Sequence, residues 1–172
     1  MNQGNIDLIK AELDRQGMQA VPLCAYVLAT VEHETAGTYE PVREAFYLGG
    51  GTDPGGAAEV FRRRLSYYPF YGRGFVQLTW EANYRKLGDY LGLDLVGEPD
   101  RAMEPHVAAQ ILVTGMRKGM FTGRRLREFV NEAGAKDYVG ARVVVNGHDR
   151  AEHIADLARA WEALLSGGGK AA

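Results

Sequence analysis

Four clusters of residues in this chain have the types and spacing for acid–base or hydrogen-bonding chemistry. The first is Glu32-His33-Glu34-Thr35, at the end of an apolar run that starts at Val21. Glu34 follows Leu23, Val27 and Thr30 at spacings of four, three and four, so on a helix it shares the face that looks into the core. Partial desolvation there, and the negative end of the helix dipole, both favour the protonated form that a general acid needs. The plain alternative is a surface glutamate on a frayed helix end. The second cluster is Pro41-Val42-Arg43-Glu44. Glu44 lies ten residues beyond Glu34, past a turn around Gly37, so a returning segment can bring two carboxyls across one cleft. Two facing carboxyls are the usual apparatus for breaking a glycosidic bond, and Arg43 is placed to steady one of them by an ion pair. Asp53, in a glycine-rich loop, and Glu59 compete with Glu44 for the second role, and a solvated loop is the plain alternative for Arg43 and Glu44.

The third cluster runs Tyr71-Gly72-Arg73-Gly74-Phe75-Val76-Gln77-Leu78-Thr79. Its two glycines allow backbone to approach a ligand closely. If Phe75–Thr79 is a short strand, Gln77 and Thr79 point to one face, and Asn83 continues the row one turn later. Neutral amides and hydroxyls beside aromatic rings suit sugar hydroxyls and N-acetyl groups, which makes Tyr71, Arg73, Gln77, Thr79 and Asn83 candidate substrate contacts; a structural turn is the alternative. A phosphate loop is excluded, because the lysine-serine or lysine-threonine ending is missing. The fourth cluster, Val145-Asn146-Gly147, is first of all a turn signal.

The rest of the composition narrows the chemistry. The 172 residues suffice for one core, and 46% hydrophobic with 24% charged residues is ordinary for a globular chain. A formal net charge of -2 argues against nucleic acid as the default partner. The single cysteine, Cys24, rules out an internal disulfide framework and reads as a buried, inert thiol. His33, His106, His148 and His153 have no metal-binding spacing. Arg62-Arg63-Arg64 and Arg124-Arg125-Arg127 read as solvated faces. The N-terminus has no basic start followed by an apolar stretch, so no signal peptide is expected, and the run Val21 to Val31 is too short to span a bilayer.

The elements that must hold these clusters are mostly helical. Ile6, Leu8, Ile9 and Leu13 mark a first amphipathic helix, and Val21 to about Glu34 reads as a buried central one. Ala57–Leu65 reads as a short helix with Val60, Phe61 and Leu65 inward. Glu81–Leu91 follows with Tyr84, Leu87, Tyr90 and Leu91 on one face, then Pro105–Met116, opened by a proline. Arg124–Val130 is a shorter helix, and Tyr138–Val145 suits either state. The last helix has Asp149 and Glu152 as a capping box, then the stripe Ile154, Leu157, Ala158, Trp161, Leu164 and Leu165. The expected class is mainly α with at most a small β element, in one domain over residues 1–166, with 167–172 as a flexible tail.

In their order along the chain the pieces resemble one family. His33-Glu34-Thr35 after an apolar helix, Phe70-Tyr71-Gly72-Arg73-Gly74-Phe75-Val76-Gln77-Leu78-Thr79, then Asn83-Tyr84 and Val145-Asn146-Gly147 are similar to the family 19 glycoside hydrolases. These are the plant-type chitinases and the compact bacterial and phage lysins related to them. The resemblance runs from about Tyr26 to Trp161. It implies a lysozyme-like fold with a central cleft, and inverting hydrolysis of β-1,4 bonds beside N-acetylglucosamine or N-acetylmuramic acid. By position, Glu34 matches the general acid, Gln77, Thr79 and Asn83 the polar row, Asn146 the late asparagine of the cleft, and Arg142 a supporting arginine. Glu44 fits the second carboxylate, with Asp53 and Glu59 still open. Neither a metal nor an organic cofactor is expected. The expected partner is a polysaccharide, chitin or, by the chain's compactness and lack of a leader, peptidoglycan, met by a monomer made in the cytoplasm and acting on the cell wall after release. Neither nucleic acid nor stable membrane insertion is expected. The alternative is a non-catalytic wall-binding or phage structural domain that has kept the cleft.

Overall fold

A computed structural model describes residues 1–167, and within them the fold is a set of helices around one buried helix, with a two-stranded ribbon beside it. The first helix, α1 (Gln3–Arg15), is capped by the Asn2 side chain, which accepts the Asn5 N–H, and it buries Ile6, Ile9 and Leu13. The second, α2 (Val21–Glu34), is buried from Leu23 to Val31, as its apolar composition on all sides requires. Cys24 lies within it, and burial pushes its thiol up, away from the reactive thiolate. Short elements follow: β1 (Val42–Arg43), α3 (Ala57–Arg62) and β2 (Arg73–Gly74), then α4 (Glu81–Leu91), α5 (Pro105–Lys118) and α6 (Ala151–Gly167). Helix α6 lies along α2, with Ile154, Ala155 and Ala158 fully buried, and α1 lies against α5. The strands β1 and β2 are antiparallel, pairing Val42 with Gly74 and Arg43 with Arg73. No helix among the described residues is long and apolar enough to cross a membrane.

The end of α2 decides where Glu34 points. Thr35, buried, donates its hydroxyl to the Val31 carbonyl (2.7 Å) and accepts the Tyr39 N–H (3.0 Å), stopping the helix. Ala36 and Gly37, at φ 50 and 76, then reverse the chain. Glu32 accepts both the Tyr39 hydroxyl (3.0 Å) and the Trp161 indole N–H (2.7 Å), which ties the last turn of α2 to α6. Two residues on, Glu34 leaves the helix in another direction.

Several local expectations are corrected. Helix α3 ends at Arg62 and turns the other way round: Ala58, Glu59 and Arg62 are buried, while Val60 and Phe61 are exposed. Phe75–Thr79 is not a strand. Arg73 and Leu78 exchange backbone hydrogen bonds across a hairpin whose loop holds Gly74 and Gln77 at φ 86 and 54. Arg124–Val130 contains only a 3-10 turn at Leu126–Glu128, and Tyr138–Val145 one at Gly140–Val144. On α4 the buried positions are Tyr84, Leu87 and Gly88, with Tyr90 half exposed. Helix α6 begins at Ala151 after Arg150 at φ 57, one residue later than a cap at Asp149 requires, and it includes Gly167. Leu164 on its stripe is exposed. Residues 168–172 of the expected tail lie outside the described residues.

Candidate active site

A cavity of about 320 Å³ opens beside the end of α2. Its wall contains Glu34 from α2, Gln77 and Thr79 from the hairpin, Asn83 from α4 and Asn146 from the segment before α6. These five candidates come from parts of the chain up to 112 residues apart (146 minus 34), so the fold, not local sequence, assembles them. Val76, Trp80, Phe121 and Val145 supply the apolar part of the wall.

Glu34 is the carboxyl of this cavity. Its Oε1 accepts Arg142 Nη1 at 2.9 Å, and Arg142, itself buried, also donates Nε to the Asp149 carbonyl at 2.9 Å. Both bonds fix the guanidinium in the 3-10 turn, and the guanidinium fixes the carboxyl. The second oxygen remains for a proton exchanged with a ligand.

The neutral row is braced from within. Gln77 donates Nε2 to the Val42 carbonyl (3.0 Å), Thr79 donates its hydroxyl to the Gln77 carbonyl (2.7 Å), and Asn83 donates Nδ2 to the Thr79 carbonyl (2.8 Å). Each side chain is thereby held in one orientation with acceptor oxygens left for a ligand. Gln77 and Trp80, both at positive φ, sit in a backbone region that non-glycine residues occupy at a cost. Asn146 accepts the Gly147 N–H at 2.9 Å, which leaves its amide NH₂ toward solvent.

Glu44 stands at the end of β1. Its Oε1 accepts the Tyr67 hydroxyl (2.8 Å) and its Oε2 the Gly72 N–H (2.9 Å). Its backbone N–H donates to the Gly72 carbonyl (2.7 Å), and its own carbonyl accepts Arg62 Nε (2.8 Å). The groups that hold Glu44 touch the cavity wall: the Tyr67 ring packs on Trp80 with centroids 4.7 Å apart. On the other side, a Cβ on Gly72 would come within 2.6 Å of Gln77 Oε1. Glu44 is therefore one residue removed from the wall, at the β-ribbon side.

Other candidates fall elsewhere. Tyr71 and Arg73 do not line this cavity. Arg73 is buried, bonded to Asp100 (2.7 Å), to the carbonyls of Pro69 and Tyr71 and to the Tyr84 hydroxyl, and its guanidinium lies 3.7 Å from the Tyr71 ring centroid. Both residues line a second hollow of about 310 Å³ with Glu59 and Asp100. A buried cation needs this many acceptors, and meeting that need takes Arg73 out of reach of the first cavity. The glycines of the cluster serve the protein itself: Gly72 makes room for Gln77, and Gly74 passes the Ala102 carbonyl, which a Cβ would approach to 2.9 Å. Arg43 pairs with Asp100 (3.0 Å), not with either candidate carboxyl. Asp53 is exposed and closes a turn onto the Gly55 N–H. Glu59 is buried, which alone would push its carboxyl up, yet donors from Arg63, Arg62 and Tyr68 hold it below the usual range. A carboxylate so satisfied is a poor base.

Sequence patterning missed Trp80 as a wall residue and missed the grip of Tyr67 and Arg62 on Glu44. An aromatic set between Thr79 and Asn83 of the neutral row was the available sign for Trp80. No local sign existed for Arg62, whose acceptors at residues 44, 51 and 59 are fold-dependent.

Comparisons with known proteins bear on the family and the fold. A family model described as chitinase class I matches residues 20–114, more than half of the chain. Chitinase 8 of Oryza sativa subsp. japonica is 62% identical over 32 residues, 19% of this chain and 12% of that protein. Chitinase 12 of the same plant is 34% identical over 86 residues, 44% of this chain and 26% of the other. The chain thus matches only a minor part of the length of these curated relatives. The crystal structure of chitinase C from Streptomyces griseus HUT6037 superposes with a TM-score of 0.60 at 24% identity, covering 85% of this chain and 60% of that one. That likeness bears out a mainly helical fold of the lysozyme-like kind.

Proposed function

The chain belongs to the class I chitinase family of family 19 glycoside hydrolases, and on that premise we propose that it hydrolyses β-1,4 bonds in a polymer of N-acetylglucosamine. The observation that carries the proposal is the cavity in which Glu34, locked by Arg142, faces Gln77, Thr79, Asn83 and Asn146. Glu34 gives its proton to the glycosidic oxygen that leaves. Arg142 then neutralises the carboxylate that remains, which favours the charge distribution formed in the transition state. Glu44 takes a proton from water as it attacks the anomeric carbon from the opposite face of the ring, which inverts the configuration. Gln77 and Thr79 orient that water or the acetamido group, and Asn83 and Asn146 hold sugar hydroxyls. The sugar fits the wall because its hydroxyls and amide match neutral donors and acceptors, while its C–H faces match Trp80.

The test is digestion of purified chitin oligomers and of purified peptidoglycan, with mass analysis of the products. Peptidoglycan contains the same N-acetylglucosamine unit and linkage type, so it forms the second arm. New reducing ends from chitin are the expected result. Reducing ends from peptidoglycan alone would transfer the substrate to the cell wall, and binding without new ends on either polymer would identify a non-catalytic wall-binding domain. The second carboxylate is tested separately. Glu44→Gln slows turnover by about 10²- to 10⁴-fold, the range for a positioned general base, while Asp53→Asn leaves it within about twofold. The reverse pattern would exchange the two assignments.

A further inference from the structure

Glu44 is held on its two oxygens by very different donors. The Gly72 N–H on Oε2 belongs to the backbone beside β2 and is as rigid as the ribbon. The Tyr67 hydroxyl on Oε1 belongs to a side chain between α3 and β2 whose ring is seated at 50° on Trp80, and Trp80 is a half-exposed wall residue of the cavity. A carboxylate with one oxygen fixed can still swing about that anchor, so its remaining aim is set by the second donor.

We propose that Tyr67 is a positioning residue that acts through Glu44: its hydroxyl sets the orientation of the carboxylate beside the cavity wall, and its ring, backed by Trp80, sets where that hydroxyl stands. The inference rests on the reading of Glu44 as the base. Two further observations bear on it. Burial first, then the bond to Glu44 and the carboxylate's charge, push the Tyr67 phenol up to about 12, so it stays a donor throughout the pH range in which a glycosidase works. Tyr67 is also the donor a substitution can remove cleanly, since phenylalanine keeps the ring against Trp80.

The experiment is a double-mutant cycle on a chitin oligomer, using Tyr67→Phe, Glu44→Gln and the pair together. Tyr67→Phe is expected to lower kcat about tenfold with KM within about twofold, the size of one hydrogen bond to a charged group. In the Glu44→Gln background the same substitution is expected to cost nothing more, because a residue that works through another adds nothing once that other is gone. Tyr138→Phe is the control. It removes a phenol-to-carboxylate bond of equal length, to Glu162 (2.8 Å), away from the cavity, and it leaves kcat unchanged. A spectroscopic signature accompanies the cycle: with ring-labelled tyrosine in NMR, Glu44→Gln is expected to lower the Tyr67 titration, since burial still raises it but the bond to the carboxylate and its charge no longer do. Unchanged kcat in Tyr67→Phe with a dead Glu44→Gln would overturn the inference alone. A loss of equal size in both backgrounds would reduce Tyr67 to a packing residue. An active Glu44→Gln would overturn both this inference and the reading it rests on.

Discussion

Glu34→Gln is expected to lower turnover on chitin oligomers by about 10²- to 10⁴-fold, the contribution of one positioned general acid. An amide cannot deliver a proton to a leaving oxygen, whereas its shape and its carbonyl acceptor are those of the acid it replaces. Arg142 keeps an acceptor in place of the Glu34 Oε1 that now stands 2.9 Å away, and keeps the Asp149 carbonyl, so no cation is stranded. Exchanging a charged for a neutral acceptor costs about 1–2 kcal/mol, which for a chain of this length is about 2–8 °C in Tm. Activity and melting temperature therefore separate: the first collapses while the second moves little. A variant with a tenth or more of the original rate would remove Glu34 as the acid.

Arg62→Met is the expected counterpart in stability. Arg62 is almost fully buried, and its guanidinium donates to the Glu44 carbonyl (2.8 Å), the Gly51 carbonyl (2.7 Å) and Glu59 (3.3 Å), with the Tyr71 ring 5.1 Å from its centre. Removing one partner of a buried ion pair leaves the other charge uncompensated, at a cost of about 3–5 kcal/mol. Here two carbonyls lose their donor as well, although Arg63 and Tyr68 still reach Glu59. Arg64→Met, two positions on and exposed, is expected to stay within about 0.5 kcal/mol. Urea unfolding of both variants checks the contrast; midpoints that fall together would mean that Arg62 is no more than a surface arginine.

The difference between these two arginines also marks what could be read from the residues alone. Helix α2 was legible, read as Val21 to about Glu34 and found as Val21–Glu34, because a stretch apolar on most sides has only the core to go to. Glu34 was legible with it, since helical spacing from Leu23, Val27 and Thr30 fixes its direction. Gln77 and Thr79 were picked out as residue types, but through a misread strand: the positive φ of Gln77 has no cue in an amide side chain. Asn83 was read from the turn after it, and Asn146 from a turn segment and the resemblance. Helix α3 was misread outright. Its pattern places Val60 and Phe61 inward, yet the buried face carries Glu59 and Arg62. A buried arginine is acceptable only where acceptors converge, and those acceptors lie on segments that folding alone brings together. The same holds for Tyr71 and Arg73, whose burial among Asp100, Tyr84 and backbone carbonyls removed them from the ligand's side.

The link between Glu32 and Trp161 carries a consequence for how the chain can vary. The residue two places before the acid is anchored to the helix that closes the fold, and the acid itself is anchored to the turn just before that helix. Both anchors lie beyond residue 114, past the stretch that the family model matches. The stretch that the family model matches thus carries the proposed acid, and the part beyond it fixes that side chain's posture. Drift in that last part can retune or silence the enzyme while leaving its signature untouched.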